Sequence, residues 1–229
     1  MVLTVVAVFG VAVVAASLPA AEEEESSAEL PAEYAARYVV ASETVSPDEK
    51  LAIIVPKADP EEFPEGKNYV VALQPFAILG ALETRWPQFI GRNHGGISAE
   101  WSKDSSVALV TLESKWGPGD IFLIETRGGK LTRVTNMLVK ARELLLPNYR
   151  NAKPKPEPYN DVFDFIFESE EDKPVCRLER TRRVIVNAHA TTDPKGVADR
   201  PWRAHLAATW DIAQGKFTEQ RITRPRRSR

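Results

Sequence analysis

Histidine is the side chain best suited to acid–base and metal chemistry near neutral pH, and this chain contains three: His94, His189 and His205. No two of them stand at the i, i+4 spacing of a helical ligand pair, and the single cysteine, Cys176, is next to none of them. A structural zinc site needs four such ligands converging on the metal. The spacing therefore predicts no metal site.

The segment His94-Gly95-Gly96 has the composition of a backbone oxyanion hole in esterases. That chemistry also requires a serine nucleophile in a Gly-x-Ser-x-Gly turn between a strand and a helix, and the sequence has no such turn. A hydrolase built from this chain would have to draw its acid–base groups from a scattered set: His94, His189, Asp104 and Asp193. We therefore expect no catalytic residues and no bound cofactor. The sequence favours a protein without enzymatic activity and leaves an enzyme as the alternative.

Phosphate binding by a glycine-rich loop is also disfavoured. The Gly-Lys-x-Thr segments at 129–132 and 215–218 lack the upstream glycine of a nucleotide-binding loop, and each leads into a predicted strand instead of a helix. We interpret both as hairpin turns.

Two of the five tryptophans, Trp86 and Trp116, stand in predicted loops beside proline and glycine. A loop aromatic can anchor a partner protein, and the alternative is a ring that covers the end of a sheet. Trp101 and Trp210 adjoin predicted strands, which favours a place in the core. The predicted binding residues are therefore Trp86, Trp116 and His94, the last in a glycine-rich turn.

The net charge of −2 gives no global field for nucleic acid. Local charge is less even, with an acidic run at 22–33 and a basic end at 221–229. Such runs are typical of solvated tails. We expect a protein or an envelope component as the partner, and no nucleic acid.

The N-terminus has the pattern of a targeting segment. Residues 2–18 carry no charge, and the small residues Ala20 and Ala21 precede an abrupt acidic run. This predicts a signal peptide or an N-terminal anchor over residues 1–21, and hence a secreted, periplasmic or outward-facing anchored protein. Membrane contact is expected only through this segment, if it is retained. In an exported chain Cys176 cannot form an internal disulfide; we predict a small buried side chain there, with a reactive thiol as the alternative.

Four segments follow residue 21. We expect a β-rich segment with blade-like hairpins at 22–147, a Pro-rich linker or loop at 148–161, a second β segment at 162–223 and a basic tail at 224–229. Apolar spacing predicts a helix over 135–146, with Thr135 or Asn136 as the cap and Pro147 as the stop. A turn or two of helix is also expected within 77–88, and a glycine-proline turn at 114–120.

Two short patterns recur along the chain. The turn "VSPDEK" before the strand "LAIIVP" corresponds to the turn "WSKDSS" before the strand "VALVTLE". Further on, Glu125 and Asp211 each stand four residues before a Gly-Lys-x-Thr hairpin. In both hairpins we expect the acid to bind turn amides and the glycine to adopt positive φ.

These residues resemble blades of TolB-type and related WD-repeat β-propellers. Such blades have a Trp-Ser-Pro-Asp-Gly-like turn, an inner strand, an Asp-Ile strand, a glycine turn and a closing Arg-x-Thr strand. Residues 101–135 resemble one blade, 46–56 half of another and 209–223 the outer hairpin of a third. Lys103 and Ser105 stand where the family has proline and glycine. The resemblance covers about a third of the chain, and it implies antiparallel blades in modules that mostly bind partners.

The sequence predicts a mainly β fold, with α+β as the alternative: antiparallel blade-like sheets and one or two short helices in an incomplete propeller-like or sandwich arrangement. The favoured function is an exported, non-catalytic binding or assembly module. A structural envelope-associated protein without a specific ligand is the alternative, and a hydrolase comes last.

Overall fold

The computed structural model describes residues 30–168 and 173–224. The predicted N-terminal segment, the acidic residues before Leu30 and the last five residues of the basic tail lie outside this part. The described chain is mainly β, with three sheets and two α-helices, which confirms the predicted fold class. Every strand pairing is antiparallel, and the three sheets do not join into a closed barrel within the described residues.

The first two sheets are four-stranded meanders in chain order. Sheet A follows the short helix α1 (Ala32–Ala35) and consists of β1 (Tyr38–Val40), β2 (Leu51–Pro56), β3 (Asn68–Leu73) and β4 (Phe76–Leu82). Sheet B consists of β5 (Gly96–Trp101), β6 (Val107–Ser114), β7 (Gly117–Arg127) and β8 (Lys130–Asn136).

Helix α2 (Met137–Arg150) leads from sheet B toward the third sheet. Sheet C consists of β9 (Ile166–Glu168), β10 (Cys176–Glu179), β11 (Arg183–Thr191), β12 (Arg203–Asp211) and β13 (Lys216–Thr223). Strands β10 to β13 are neighbours in chain order, and β9 pairs with the far end of β11 beside β10. This sheet is thus a third meander in which β9 and β10 both pair with the same side of β11 and form one edge together.

Sheet B lies in the middle of the stack. On one face Val110 and Phe122 pack with Ile53 of sheet A, and on the other face Leu109 and Leu123 pack with α2 and sheet C. Because both faces of β6 are covered, its sequence is a nearly continuous apolar run and not an alternating one. The core around α2 draws residues from both sides of segment 148–161.

The helix expected within 77–88 is wrong, since residues 76–82 form β4. The Gln74-Pro75 turn brings this segment back along β3, whose open edge it pairs. Gly80 sits at a register shift, where a Cβ atom would lie 2.6 Å from Leu131 Cδ2 of sheet B. Sheet pairing and close packing therefore outweigh the weak helical spacing.

Helix α2 confirms Asn136 as the cap, because the Asn136 side chain accepts a hydrogen bond from the Val139 amide at 3.1 Å. The predicted stop at Pro147 is wrong, as the helix continues to Arg150. Pro147 lies on the exposed side of the helix and removes one hydrogen bond there. Burial of Tyr149, which continues the inner face after Leu145, carries the helix one turn further.

The glycine-proline turn expected at 114–120 is shorter than predicted. Gly117, Pro118 and Gly119 belong to β7, so the turn is reduced to Lys115 and Trp116. Pro118 is tolerated in the strand because it stands beside a register shift, where a missing N–H costs little.

The repeated turns are confirmed at atomic detail. Ser46 Oγ donates to Asp48 Oδ1 at 2.7 Å and accepts from the Leu51 amide at 2.9 Å. Ser102 Oγ does the same with Asp104 at 2.7 Å and with the Val107 amide at 3.0 Å. In each turn the residue after the aspartate has positive φ, 57° at Glu49 and 55° at Ser105. The same local chemistry therefore begins the second strand of sheets A and B.

The two hairpins with Gly-Lys-x-Thr are alike only in part. Gly129 and Gly215 both have positive φ, as expected. Asp211 accepts from the Gln214 amide at 2.8 Å, whereas Glu125 pairs with Arg133 of the neighbouring strand. The expectation that Glu125 binds turn amides is wrong, because its longer side chain reaches the guanidinium across the strand pair.

Candidate functional site

The loop that joins sheet A to sheet B, residues 83–95, is pinned to the fold by Gln88. Its backbone exchanges two hydrogen bonds of 2.8 Å with the Asn68 side chain, and its own side chain donates to the Glu113 carbonyl at 2.8 Å. Both Asn68 and Gln88 are buried. Buried amide pairs are costly to leave unsatisfied, so this loop holds a defined conformation.

Trp86 stands in this loop with 46% of its surface exposed. One edge of its ring packs against Phe163, with the centroids 5.5 Å apart. Its carbonyl accepts a hydrogen bond of 2.9 Å from the Arg92 guanidinium, and the Arg85 guanidinium lies 5.4 Å from the ring centroid. The indole is thus held in place while nearly half of it faces solvent.

Arg142 of α2 packs against Phe163, the ring that contacts Trp86. Its guanidinium lies 5.1 Å from the Phe163 ring and 4.7 Å from the Phe165 ring, and it donates to the Phe165 carbonyl at 2.6 Å. Burial lowers the pKa of Arg142, and the carboxylates of Asp164 and Asp120 oppose that effect. Because Phe165 is fully buried, Arg142 links the exposed indole to the core.

Other large apolar side chains are exposed in the segments that meet here. Ile90 of the same loop is 57% exposed, Val139 of α2 is 47% exposed, and Val162 is 39% exposed. We refer to Trp86, Phe163 and the adjacent Val162 as the Trp86 surface. The amide of Ile90 donates to the Pro56 carbonyl of sheet A. Scattered apolar residues are ordinary on a surface, but grouped ones mark interaction sites.

The other two predicted binding residues lie at the same end of sheet B. His94 is exposed, with φ of 54°, two residues before β5 begins. Trp116 is half-buried in the β6–β7 turn, where the Lys115 ammonium lies 5.0 Å from its ring centroid. Glu113, which pairs with Gly96 and accepts from Gln88, connects these elements. The fold thus brings His94 and Trp116 to the end of sheet B that carries the Trp86 loop.

The scattered acid–base candidates do not form one site. His94 precedes β5 and Asp104 follows it, so the length of the strand, about 20 Å, separates them. Asp193 follows β11 in sheet C and accepts from the Ala198 amide at 2.8 Å, as a turn-forming carboxylate does. His189 lies within β11. His189 and Asp193 both act electrostatically on Glu168 in sheet C, away from His94 and Asp104 of sheet B.

A histidine pair that the sequence analysis missed lies on sheet C. His189 and His205 are directly opposite on β11 and β12, with ring centroids 4.4 Å apart. Asn187 Oδ1 is 2.5 Å from His205 Nε2, and Glu168 stands opposite His189 on β9. Burial raises the pKa of Glu168, opposed by the charges of Arg203 and His189. Only the strand register, which spacing along the chain does not reveal, could have indicated this pair.

The remaining predictions concern Cys176 and the core tryptophans. Cys176 is buried, and burial raises the pKa of its thiol to about 12. Trp210 is buried as predicted, whereas Trp101 is half-buried and donates to the Thr44 carbonyl at 2.9 Å. Among the described residues no group of three or more His, Cys, Asp or Glu is placed to hold a metal ion.

Comparison of the chain with known protein families, with curated proteins and with solved structures found no match. Neither of the two helices in the described part of the chain is long and apolar enough to cross a membrane.

Proposed function

We propose that the protein is an exported, non-catalytic binding module that holds a protein or another envelope component at the Trp86 surface. The observation that carries this proposal is the indole of Trp86, which is 46% exposed although Phe163 and Arg92 fix its position. Nearly half of the residue's surface is therefore open to a partner.

The composition of the surface supports a protein partner. Tryptophan and arginine are the residues most enriched at binding hot spots, and here Trp86 is accompanied by Arg85 and Arg92. The pinned loop limits the conformational entropy that binding would cost, since the anchor is already ordered. Val162, next to Phe163 in the chain, adds a further exposed apolar side chain.

The architecture is in keeping with the resemblance to TolB-type and WD-repeat blades. Three antiparallel meanders, two of four strands and one of five, follow one another along the chain. The two four-stranded sheets share the Ser-x-Asp turn at the same place. Blades of that type mostly serve as binding modules, which favours the same role here. Export is supported by the uncharged segment 2–18 and the small residues that follow it.

The proposal is tested by capture of partners with the tagged full-length chain from an envelope extract of its own cells. Trp86→Ala and Trp116→Ala are compared with Ile78→Ala, a matched control because Ile78 is 39% exposed on β4, away from the loop. We expect a partner that binds the wild-type chain and the Ile78 variant but not the Trp86 variant. Circular dichroism confirms that each variant is folded. A partner set that is unchanged in both tryptophan variants would overturn the proposal.

A further inference from the structure

The outer face of sheet C is a regular surface that the core leaves open. Along β11 and β12 every second residue is buried against α2 and sheet B, and the residues between them point outward. Sheet B, by contrast, is covered on both faces. Among the described residues, the helices and the other two sheets lie on the far side of this face.

In the middle of this face, the outward side chains leave a groove that another protein surface could approach. A groove of about 640 Å³ crosses it, with Ile185, Asn187, Ala207 and Thr209 contributing to its floor. Arg177 of β10 stands at one edge. An approaching surface could contact this floor without displacing a large side chain.

The charges on this face are arranged in rows across the strands. One row runs Glu179, Arg183, Asp211, Lys216 from β10 to β13, so its signs alternate. The next row runs Arg177, Ile185, Thr209, Glu219 and has a cation at one edge and an acid at the other. If a row is laid over a copy of itself that runs from β13 to β10, each charged residue faces a residue of opposite charge.

In the second row, the charges of Arg177 and Glu219 are not paired with each other within one copy of the chain. Arg177 and Glu219 are three strands apart, about 14 Å at the usual strand spacing. None of the ion pairs formed between described residues involves a side chain of either row. Arg177 and Glu219 therefore have no ion-pair partner among the described residues, whereas Asp211 already interacts with Arg183 and accepts from the Gln214 amide.

We propose that a second copy of the chain packs on this face, about a two-fold axis parallel to the strands. That axis places β10 of one copy over β13 of the other, and β11 over β12. Arg177 then meets Glu219 of the second copy, Glu179 meets Lys216, and Arg183 meets Asp211, each pair occurring twice. In the centre Ile185 lies over Thr209 of the second copy.

The size of the face is sufficient for a dimer. Strands β9 to β13 together contain 33 residues. At about 4.8 Å by about 3.3 Å each, these residues give a footprint of roughly 520 Å² per copy, or about 1,050 Å² in total. A specific interface needs about 1,000 Å² with good complementarity. Two sheets packed face to face with nearly aligned strands are also a common arrangement.

The order of charges in the two rows favours a second copy over an anionic ligand. Lys173 and Arg221, which also line the groove, lie outside these rows. The two rows contain three cations, Arg177, Arg183 and Lys216, and three acids, Glu179, Asp211 and Glu219. An acidic peptide laid across the face would meet repulsion at each of the three acids. A surface with the same rows in reverse order satisfies all six.

The test is the mass of the full-length chain in solution, measured by sedimentation equilibrium. We expect a dimer for the wild-type chain. Arg177→Glu and Glu219→Arg each create two like-charge contacts per dimer; at about tenfold per contact, each variant weakens dimerisation about a hundredfold. Melting curves show whether each variant keeps the wild-type fold, and an exposed charge far from the face, Glu61→Arg, serves as the control.

The decisive sample is an equimolar mixture of the two variants. In a heterodimer of Arg177→Glu with Glu219→Arg, the introduced acid of one copy meets the introduced cation of the other. The unchanged Glu219 of the first copy meets the unchanged Arg177 of the second, so mixing should restore the dimer. No contact within one chain can be repaired by mixing.

Several outcomes would overturn the proposal: a monomeric wild-type chain, a dimer insensitive to both single changes, or a mixture that stays monomeric. Binding of an acidic peptide to a monomeric chain, lost in Arg177→Glu, would assign the face to that ligand instead.

Discussion

Trp86 meets Phe163 edge to face, with the ring centroids 5.5 Å apart. This contact joins the loop between sheets A and B to the segment that precedes β9. Arg142 lies beneath Phe163 and continues the contact to the buried ring of Phe165. A surface feature remote in sequence from α2 is thereby attached to the core around that helix.

Trp202 packs on Phe165 at the buried end of these contacts, and Trp86 stands at the exposed end. Replacing each tryptophan should change the free energy of unfolding by very different amounts. Trp86→Ala removes one aromatic contact and should lower the free energy of unfolding by about 1 kcal/mol. Trp202→Ala empties a buried site that packs on Phe165 and Tyr149, and it should cost about 3–5 kcal/mol. Urea unfolding followed by circular dichroism measures both. Equal losses would show that Trp86 is a core residue and not a surface anchor.

The turns at Ser46 and Ser102 should contribute equally to the free energy of unfolding. Ser46→Ala and Ser102→Ala each remove a hydroxyl that serves a carboxylate and a strand amide at once. An amide left unpaired costs about 1–3 kcal/mol, so both variants should lose stability in that range. Ser98→Ala, a half-buried serine on β5, is the matched control and should change stability by about 0.5 kcal/mol or less. A loss in only one of the two turns would contradict their equivalence.

Glu113 should make stability depend on pH. Burial raises the pKa of its carboxyl above the usual 4.5. Folding therefore favours the protonated form, and the stability this provides is present below pH 4.5 and is lost as the pH rises through the folded-state pKa. Glu113→Gln should raise the melting temperature at neutral pH, and the gain should shrink at pH about 4. The exposed Glu61→Gln is the control, and an equal gain at both pH values would refute the prediction.

Cys176 should be inert in the folded chain. Burial raises the pKa of its thiol to about 12, so the reactive thiolate is scarce at mildly alkaline pH. Iodoacetamide should label the protein slowly under native conditions and rapidly in denaturant, which intact-mass spectrometry distinguishes. Rapid labelling of the native chain would mean that the strand around Cys176 opens readily.

Local chemistry explains which predictions from sequence succeeded. The Ser-x-Asp turns need only the side chains within six residues, and the Asn136 cap needs only the first turn of α2. Contacts with distant residues explain the three errors, which concern residues 77–88, Pro147 and Gly117–Gly119. In each, pairing with another strand or burial of Tyr149 decided the conformation against the local signal.

The candidate sites show the same division. Exposure of the Trp86 loop could be expected from its proline, glycines and charges. The contact of Trp86 with Phe163 could not. The pairing of His189 with His205 and the charge rows on sheet C depend on the register of four strands. A shift of one residue in that register would turn these side chains to the other face.

The amino-acid sequence by itself determined the β composition, the repeated turns, the helix after sheet B and the absence of a catalytic motif, because each depends on residue types close together along the chain. Only the tertiary structure decided which faces are buried, which aromatic ring stays exposed, and which charges share a surface. Those outcomes depend on how three sheets stack and pair, and that arrangement is set by contacts between residues far apart in sequence.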